Sequence, residues 1–416
     1  MKLHTTVLFA LIALAPASAQ ELAKKTLTLD AALELAEQNS PLLTGAASQI
    51  TGAESGIIAA RAYPNPYFYY LAGQQYARPI ATPGVPGLLQ RYAVSQPMEL
   101  ASVRRTRIAA AERARESSQF GLAGARLYVH ATVKRAFYEV LRRREEIQHT
   151  QENLQLLEEL RRRTGVQVSV GEAARLELTR AEAEMATAQN AVKGAQLQYA
   201  AAVSALRAII SAPLHGDIQA EGRFDSSIKL PELDDLRDAL LAGHPVLAQA
   251  NAELERAKAV LAHERALRAP QPQFDAEYER QPDLYYFRLG VSLPLPIWDK
   301  RKGQIGQAQA TVKTAEATFQ QRRLELVAEL ERAYSQHQIA DQQVNSFQAG
   351  ALRQANAALE ASQAAYRLGA RGIIEVLDAQ RVLQAVKGEL LDAQFERQTA
   401  LADLEGLGVL KSGATP

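Results

Sequence analysis

The sequence predicts a mainly α-helical chain with membrane β-structure, in which long coiled-coil helical hairpins are joined to four transmembrane strands. Two observations predict this fold class. Residues 98–212 and 297–415 contain no proline and are rich in Ala, Gln, Glu and Arg, which is typical of very long helices. The windows between them carry most of the prolines and alternate apolar with polar residues, as strands do.

Residues 1–19 have the pattern of a secretory signal peptide. Lys2 supplies a positive start, an apolar stretch follows, and Ala17-Ser18-Ala19 is a small-residue cleavage site. No later stretch approaches 18 apolar residues without charges, so no transmembrane helix is expected. The mature protein is therefore expected to be exported, and to enter a membrane only through strands.

Each proline-free stretch contains one break signal, at residues 164–171 and at residues 369–372. Each stretch should therefore form a helix, a turn and a returning helix. The first helix, from about residue 98 to residue 164, would be roughly 100 Å long at 1.5 Å per residue. Apolar residues at heptad spacing predict a coiled-coil seam in the second stretch, formed by Ile305, Val312, Phe319, Leu326, Ala333, Ala340 and Phe347. A comparable stripe in the first stretch comprises Val129, Val133, Phe137 and Val140.

The chain reads as an internal duplication with a period near 200 residues. Pro64 matches Pro270 at an offset of 206, whereas Val94–Pro97 matches Val291–Pro294 at an offset of 197. The first copy therefore carries about nine extra residues, in the stretch 77–87. The predicted organisation is a signal peptide 1–19, a first repeat 20–212, a linker 213–230, a second repeat 231–410 and a tail 411–416.

Four strands are predicted, at about residues 66–76, 88–97, 272–280 and 284–294. Residues of one parity are apolar and the others are largely polar, and each run has about the 9–11 residues of a tilted membrane strand. Arg91 and Arg288 fall on the polar face and should line a lumen. The alternative is a half-buried hairpin on a soluble core. Because four strands cannot close a barrel and lipid does not tolerate an open edge, several chains must share a barrel of 8, 12 or 16 strands.

Composition and motifs argue against several classes of protein. The chain has 47 Lys and Arg against 46 Asp and Glu, and a net charge of +1 does not favour nucleic acid as a partner. It has no cysteine, and its histidines are scattered without metal-ligand spacing, so no disulfide and no dedicated metal site are expected. It has no Gly-rich phosphate loop and no nucleophile elbow. We therefore expect neither an enzyme nor a bound cofactor.

The turn of the second helical stretch is the most informative local motif. Gly369 and Gly372 permit a tight reversal, and Gly171 occupies the matching place in the first copy. Glu375 and Asp378 are three residues apart and share one face of the returning helix. In a cyclic assembly they would form a carboxylate ring. The alternative is that both are ordinary acidic residues favoured by the helix dipole.

These features resemble the TolC-type outer membrane factors of Gram-negative efflux systems. The resemblance covers essentially the whole mature chain and rests on the signal peptide, the duplicated helix–hairpin–helix unit and YRLGARGIIEVLDAQ, from Tyr366. The segment VSLPLPIWDKRKGQI, from Val291, is similar to the CzcC-like branch that serves heavy-metal efflux pumps. The resemblance implies a homotrimer with a 12-stranded barrel in the outer membrane lipid. A long helical barrel would extend into the periplasm and contact an adaptor protein and an RND-type inner-membrane pump.

Carried over by motif, Tyr366, Arg371, Glu375 and Asp378 would lie at the closed periplasmic constriction. The first two would hold the gate by hydrogen bonds or ion pairs, and the carboxylates would attract cations. Two features depart from the family pattern. The lipidation cysteine of many relatives is missing, and Ala173 stands where the first-copy turn would need a matching arginine.

The function expected from the resemblance is that of an exit duct in a tripartite efflux system. Such a duct passively conducts substrates, here divalent heavy-metal cations, from the periplasm to the outside. One alternative is a multidrug or type I secretion duct. Another is a non-conducting periplasmic coiled-coil tether that its hairpins anchor.

Overall fold

A computed structural model describes residues 25–76, 85–212, 218–222 and 228–410. The predicted signal peptide and tail lie outside the described residues, as do parts of the linker and of the 77–87 insertion. The helices within the described ranges are α1 (Leu29–Asn39), α2 (Pro41–Arg61), α3 (Ala101–Ser169), α4 (Arg175–Ile210), α5 (Leu233–Gly243), α6 (Pro245–Ala266), α7 (Lys302–Ser346), α8 (Leu352–Arg367) and α9 (Ile373–Gly406).

The described strands form two sheets. Their bounds are β1 (Lys25–Leu27), β2 (Tyr67–Gln75), β3 (Gly87–Pro97), β4 (Ile218–Ala220), β5 (Gln273–Arg280) and β6 (Tyr285–Ser292). The short strands β1 and β4 pair in parallel, and the other four form one antiparallel sheet in the order β2-β3-β5-β6. The predicted fold class, long helical hairpins joined to four strands per chain, is confirmed.

Local sequence signals account for the helix starts. Pro41 and Pro245 open α2 and α6 at the first helical turn, where a missing N–H costs nothing. The hydroxyl of Thr28 caps α1 by accepting the N–H of Ala31 at 3.3 Å. α3 runs for 69 residues without proline, which makes it roughly 100 Å long. None of the described helices is long and apolar enough to cross a membrane.

The long helices of the two copies pack as one bundle. α3 contacts α2, α4, α6 and α9, and α9 also contacts α7 and α8. One apolar cluster joins α1, α3 and α4 around Phe137 and Leu141 and contains the predicted stripe of α3. A second lies beside the α3–α4 and α8–α9 turns, and a third joins α5, α6, α7 and α9 around Leu330.

A π-helical turn, Phe347–Ala351, separates α7 from α8. From Leu326 onward the buried residues of α7 follow a heptad and are Leu326, Leu330, Ala333, His337, Ala340 and Val344. The predicted seam shares Leu326, Ala333 and Ala340 with it, and its other members are half-buried. Ala355, Leu359 and Tyr366 of α8 are each buried one residue later than that heptad would place them. The π turn therefore inserts one residue and shifts the phase of the seam, which the sequence heptad did not reveal.

The two faces of the four-stranded sheet differ in chemistry. On the apolar face Tyr70, Tyr92, Tyr278 and Phe287 lie side by side across the four strands. The opposite face carries an ionic and hydrogen-bonded network of Arg91, Ser95, Asp275, Glu277, Glu279, Arg288 and Ser292. β3 and β5 join the two copies at the centre of the sheet, which leaves β2 and β6 at its edges.

Candidate functional site

The far ends of the two helical hairpins lie together and form a structure that we call the helical tip, residues 164–178 and 366–381. Both reversals use the same backbone hydrogen bonds. The N–H of Glu172 binds the carbonyl of Gln167 at 2.8 Å, and the N–H of Ala370, 198 residues later, binds that of Ala365 at 2.9 Å. These bonds are typical of a helix C-terminus closed by a left-handed glycine.

The glycines of the helical tip play different parts. Gly171 and Gly369 have φ of 80° and 70°, the left-handed region in which a side chain is strained. Gly372 has φ of −82° and ψ of 167°, an extended conformation that any residue adopts, and it precedes the first turn of α9. The reversal therefore depends on Gly369, and Gly372 provides no left-handed turn.

Tyr366 is buried, and its hydroxyl ties the two copies together. It lies 2.8 Å from the hydroxyl of Thr164 and donates to the side-chain oxygen of Gln167 at 2.7 Å. Thr164 is fully buried and in turn donates to the carbonyl of Leu160 at 3.0 Å. A buried, satisfied hydrogen-bond network is costly to break, so this contact fixes α8 against the end of α3.

Glu375 is half-buried and Asp378 is exposed, and each faces an arginine of its own chain segment. Glu375 accepts a hydrogen bond from Arg371 at 2.7 Å, four residues earlier. Asp378 lies 3.5 Å from Arg381, which also binds Glu184 of α4 and whose pKa is raised by that hydrogen bond. The described chain thus pairs Arg371 with Glu375 and does not bring it to Tyr366.

Polar contacts between α3 and α9 continue away from the helical tip. Gln380 is buried and donates to Asn153 at 2.7 Å. Lys387 donates to Glu152 at 3.0 Å, and that hydrogen bond lowers the pKa of the Glu152 carboxyl. Among residues 25–76, 85–212, 218–222 and 228–410, no group of three or more His, Asp or Glu is arranged to hold a metal ion.

Arg91 and Arg288 lie in the sheet, at the other end of the roughly 100 Å helix α3. Both bind Glu277 from either side on the polar face of the sheet. They belong to this strand network and have no contact with the helical tip.

Sequence reasoning missed the partners of the helical tip. Thr164 appeared only as the start of a break, although α3 continues to Ser169. The sequence signal for Thr164 was its spacing, because it continues the series of Leu157 and Leu160, which are both buried along the seam of α3. Nothing in the sequence pattern singled out Gln167.

Comparison with known proteins finds a matching family model and relatives that cover most of the chain. The family model "Outer membrane efflux protein" matches residues 32–212 and 236–407. The chain is 28% identical over 359 residues to the cobalt-zinc-cadmium resistance protein CzcC of Cupriavidus metallidurans, covering 86% of this chain and 84% of that protein. It is 26% identical over 299 residues to the pyoverdine export outer membrane protein OpmQ of Pseudomonas aeruginosa, covering 70% and 63%.

The fold is also found in a solved structure. The outer membrane protein VceC of Vibrio cholerae matches with a TM-score of 0.76 at 19% identity, over 91% of this chain and 96% of that one. The family model covers most of the chain, and the resemblance inferred from the tip motif is confirmed. The chain therefore belongs to the outer membrane efflux protein family, located in the outer membrane with its helices in the periplasm.

Proposed function

We propose that this protein is the exit duct of a tripartite efflux system and passively conducts divalent heavy-metal cations out of the periplasm. The similarity to CzcC, a cobalt-zinc-cadmium resistance protein, carries the choice of substrate. The solvent-accessible carboxylates of Glu375 and Asp378 support a path for cations. A second candidate is a duct for organic compounds, which the similarity to a pyoverdine export protein favours.

Three copies would build the duct. β2 and β6 are the edges of the sheet, and an unpaired edge in lipid leaves backbone groups without partners. Pairing β6 of one protomer with β2 of the next closes a barrel of 12 strands. The network around Arg91 and Arg288 then lines the lumen, and the aromatic face meets lipid.

The helical tip is the proposed periplasmic gate and the contact for an adaptor protein and an RND-type pump. Tyr366 would hold the closed state through its buried bonds to Thr164 and Gln167. Arg371 would act through Glu375, because that is its ion-pair partner. Repeated around an axis, Glu375 and Asp378 would line the constriction with up to six carboxylates.

Planar-bilayer recordings of the purified protein test the duct itself. Discrete ion currents are expected, and a folded oligomer that carries none would support the tether instead. The substrate is tested in cells that lack this gene. They should retain zinc, cobalt or cadmium, whereas retention of organic compounds alone would favour the second candidate.

The carboxylates of the helical tip should govern divalent block of the current. Glu375→Gln with Asp378→Asn removes two negative charges per protomer at nearly constant volume, so Zn²⁺ or Cd²⁺ added on the periplasmic side should bind more weakly. We expect the block to weaken by about tenfold, the effect of roughly 1.4 kcal/mol in binding. Single-channel recording with a divalent titration measures it.

A matched control removes the same charge elsewhere. Glu54→Gln with Glu316→Gln neutralises two exposed glutamates of α2 and α7, both outside the helical tip. Zn²⁺ or Cd²⁺ should block the current of this control variant as strongly as that of the parent protein. Equal block in the parent and in the tip double variant would place the constriction elsewhere.

The two faces of β6 should differ in their tolerance of charge. Leu289 lies on the aromatic face, so Leu289→Arg should destabilise the inserted protein by about 2–4 kcal/mol if the residue is near the midplane. Gly290 pairs with Asp275 on the polar face, where an arginine meets carboxylates. Gly290→Arg should therefore cost less. Unfolding in lipid vesicles compares the two, and equal losses would contradict the assignment of the faces.

A further inference from the structure

The connection between β6 and α7 differs from its counterpart in the first copy. Residues 98–100 suffice to join β3 to α3, whereas residues 293–301 join β6 to α7. We call residues 293–301 the junction segment. In the first copy the backbone is tied down, because the N–H of Met98 binds the carbonyl of Pro272 at 2.8 Å. The longer connection is thus a feature of the second copy alone.

The junction segment exposes an unusual amount of apolar surface. Trp298, the one tryptophan of the sequence, is 92% exposed. Leu295 and Ile297 are 64% and 59% exposed, and Leu293 is also exposed. Contiguous exposed apolar side chains of this size indicate contact with a partner or with a membrane.

The backbone of the junction segment is suited to a poorly hydrated environment. Pro294 and Pro296 have no N–H to satisfy. The N–H of Ile297 binds the carbonyl of Leu295 at 2.9 Å. Several backbone N–H groups, which would cost free energy if they were left unpaired in an apolar medium, are therefore absent or paired.

Basic residues follow the apolar ones after a single acidic residue, Asp299. Arg301 is held by Glu264, and its N–H binds Asp299 at 2.8 Å. Lys300 and Lys302 are exposed and have no ion-pair partner among the described residues. A tryptophan beside lysines is typical of the boundary between lipid chains and head groups.

The length of β6 points to the same boundary. Its eight residues fall short of the 9–11 that a tilted strand needs to cross a bilayer. The apolar face of β6, with Leu289 and Val291, leads directly into Leu293 and Leu295. Because α7 follows, this is the periplasmic end of the strand, so the junction segment lies where the inner leaflet ends.

We propose that the junction segment is a membrane anchor that binds the phospholipid surface of the inner leaflet. The indole of Trp298 inserts at the boundary of head groups and chains, and Lys300 and Lys302 bind lipid phosphates. This anchor rests on the placement of the sheet in the membrane. It attaches the periplasmic rim of the sheet to the membrane.

The single tryptophan makes the test direct. The full protein is reconstituted in vesicles of phosphatidylethanolamine and phosphatidylglycerol, with nitroxide-labelled lipid as the quencher. A nitroxide near the head group should quench Trp298 fluorescence at least about twofold more than one at the chain end. Because the lysines bind lipid phosphates, the quenching should depend on the phosphatidylglycerol in the vesicles. Lys300→Glu with Lys302→Glu should reduce the quenching and remove that dependence.

A second variant separates the anchor from the placement of the sheet. In Trp298→Phe with Leu289→Trp, the new indole should be quenched most by the chain-end nitroxide. If the new indole is quenched in this way but Trp298 of the parent protein is quenched by neither labelled lipid, the anchor is overturned and the placement of the sheet stands. If Trp298 is quenched neither by the labelled lipids nor by aqueous acrylamide, the junction segment is assigned to contacts between protomers. Absence of lipid quenching at both positions would overturn the membrane placement itself.

Discussion

Tyr366→Phe should open the resting channel. The substitution deletes a hydroxyl that donates to Gln167 and lies 2.8 Å from the hydroxyl of Thr164 in the buried helical tip. Such a hydrogen bond contributes about 1 kcal/mol, and the proposed trimer would multiply the loss by three. We expect the open-to-closed ratio to rise by at least about tenfold, which requires only 1.4 kcal/mol. Single-channel open probability at zero divalent cation measures the change.

Two variants make this expectation specific. Thr164→Val deletes the other end of one bond and should open the channel too, and its combination with Tyr366→Phe should add less than the sum of the two. Tyr128→Phe removes a hydroxyl from an exposed tyrosine of α3 and should leave gating unchanged. Parental open probability in Tyr366→Phe would show that the hydroxyl does not hold the gate.

Glu405→Leu should destabilise the helical bundle more than any surface substitution. Glu405 of α9 forms an ion pair with Lys134 of α3, and the two side chains are 13% and 7% exposed. Removing the carboxylate deprives the buried Lys134 ammonium of this ion pair, a loss of up to about 3–5 kcal/mol. Denaturant unfolding of the purified protein, followed by circular dichroism, measures the free energy of unfolding.

The same pair offers an internal control and a spectroscopic signature. Lys134→Met with Glu405→Leu replaces both charges by apolar groups and should recover most of the stability. Burial and the charge of Glu405 raise the pKa of Tyr138 to about 12. Without Glu405 that pKa should fall, which ultraviolet titration detects. A Glu405→Leu variant as stable as the parent protein would mean that the ion pair does not stabilise the bundle.

The sequence predicted the large elements because their signals are physical requirements. Proline cannot continue a helix, so its absence from residues 98–212 marked α3 and α4 almost completely. Alternation marked β6, since successive side chains of a strand face opposite ways. The π turn escaped because the heptad count depended on apolar residues, and Phe347 kept that count while the backbone gained a residue.

The site was predicted less completely than the fold. The motif names Tyr366 and the acidic pair as gate residues, which stays a prediction, and it did not show that the partners of Tyr366 lie on α3, about 200 residues away in sequence. Arg371 illustrates the same difficulty, because local spacing could not decide between Glu375 and a partner on another helix. Long-range pairing depends on how the two copies pack, which a single pattern does not encode.

The π turn between α7 and α8 also uncouples the packing register of α8 from that of α7. Before Phe347 in the chain the buried residues of α7 follow one register, and after Ala351 those of α8 follow another. A graft joined inside these five residues keeps each register with the helices it already packs against. Exchange of α8 at this point therefore leaves the seam of α7 undisturbed, and sequence change near the helical tip is separated from the packing of α7.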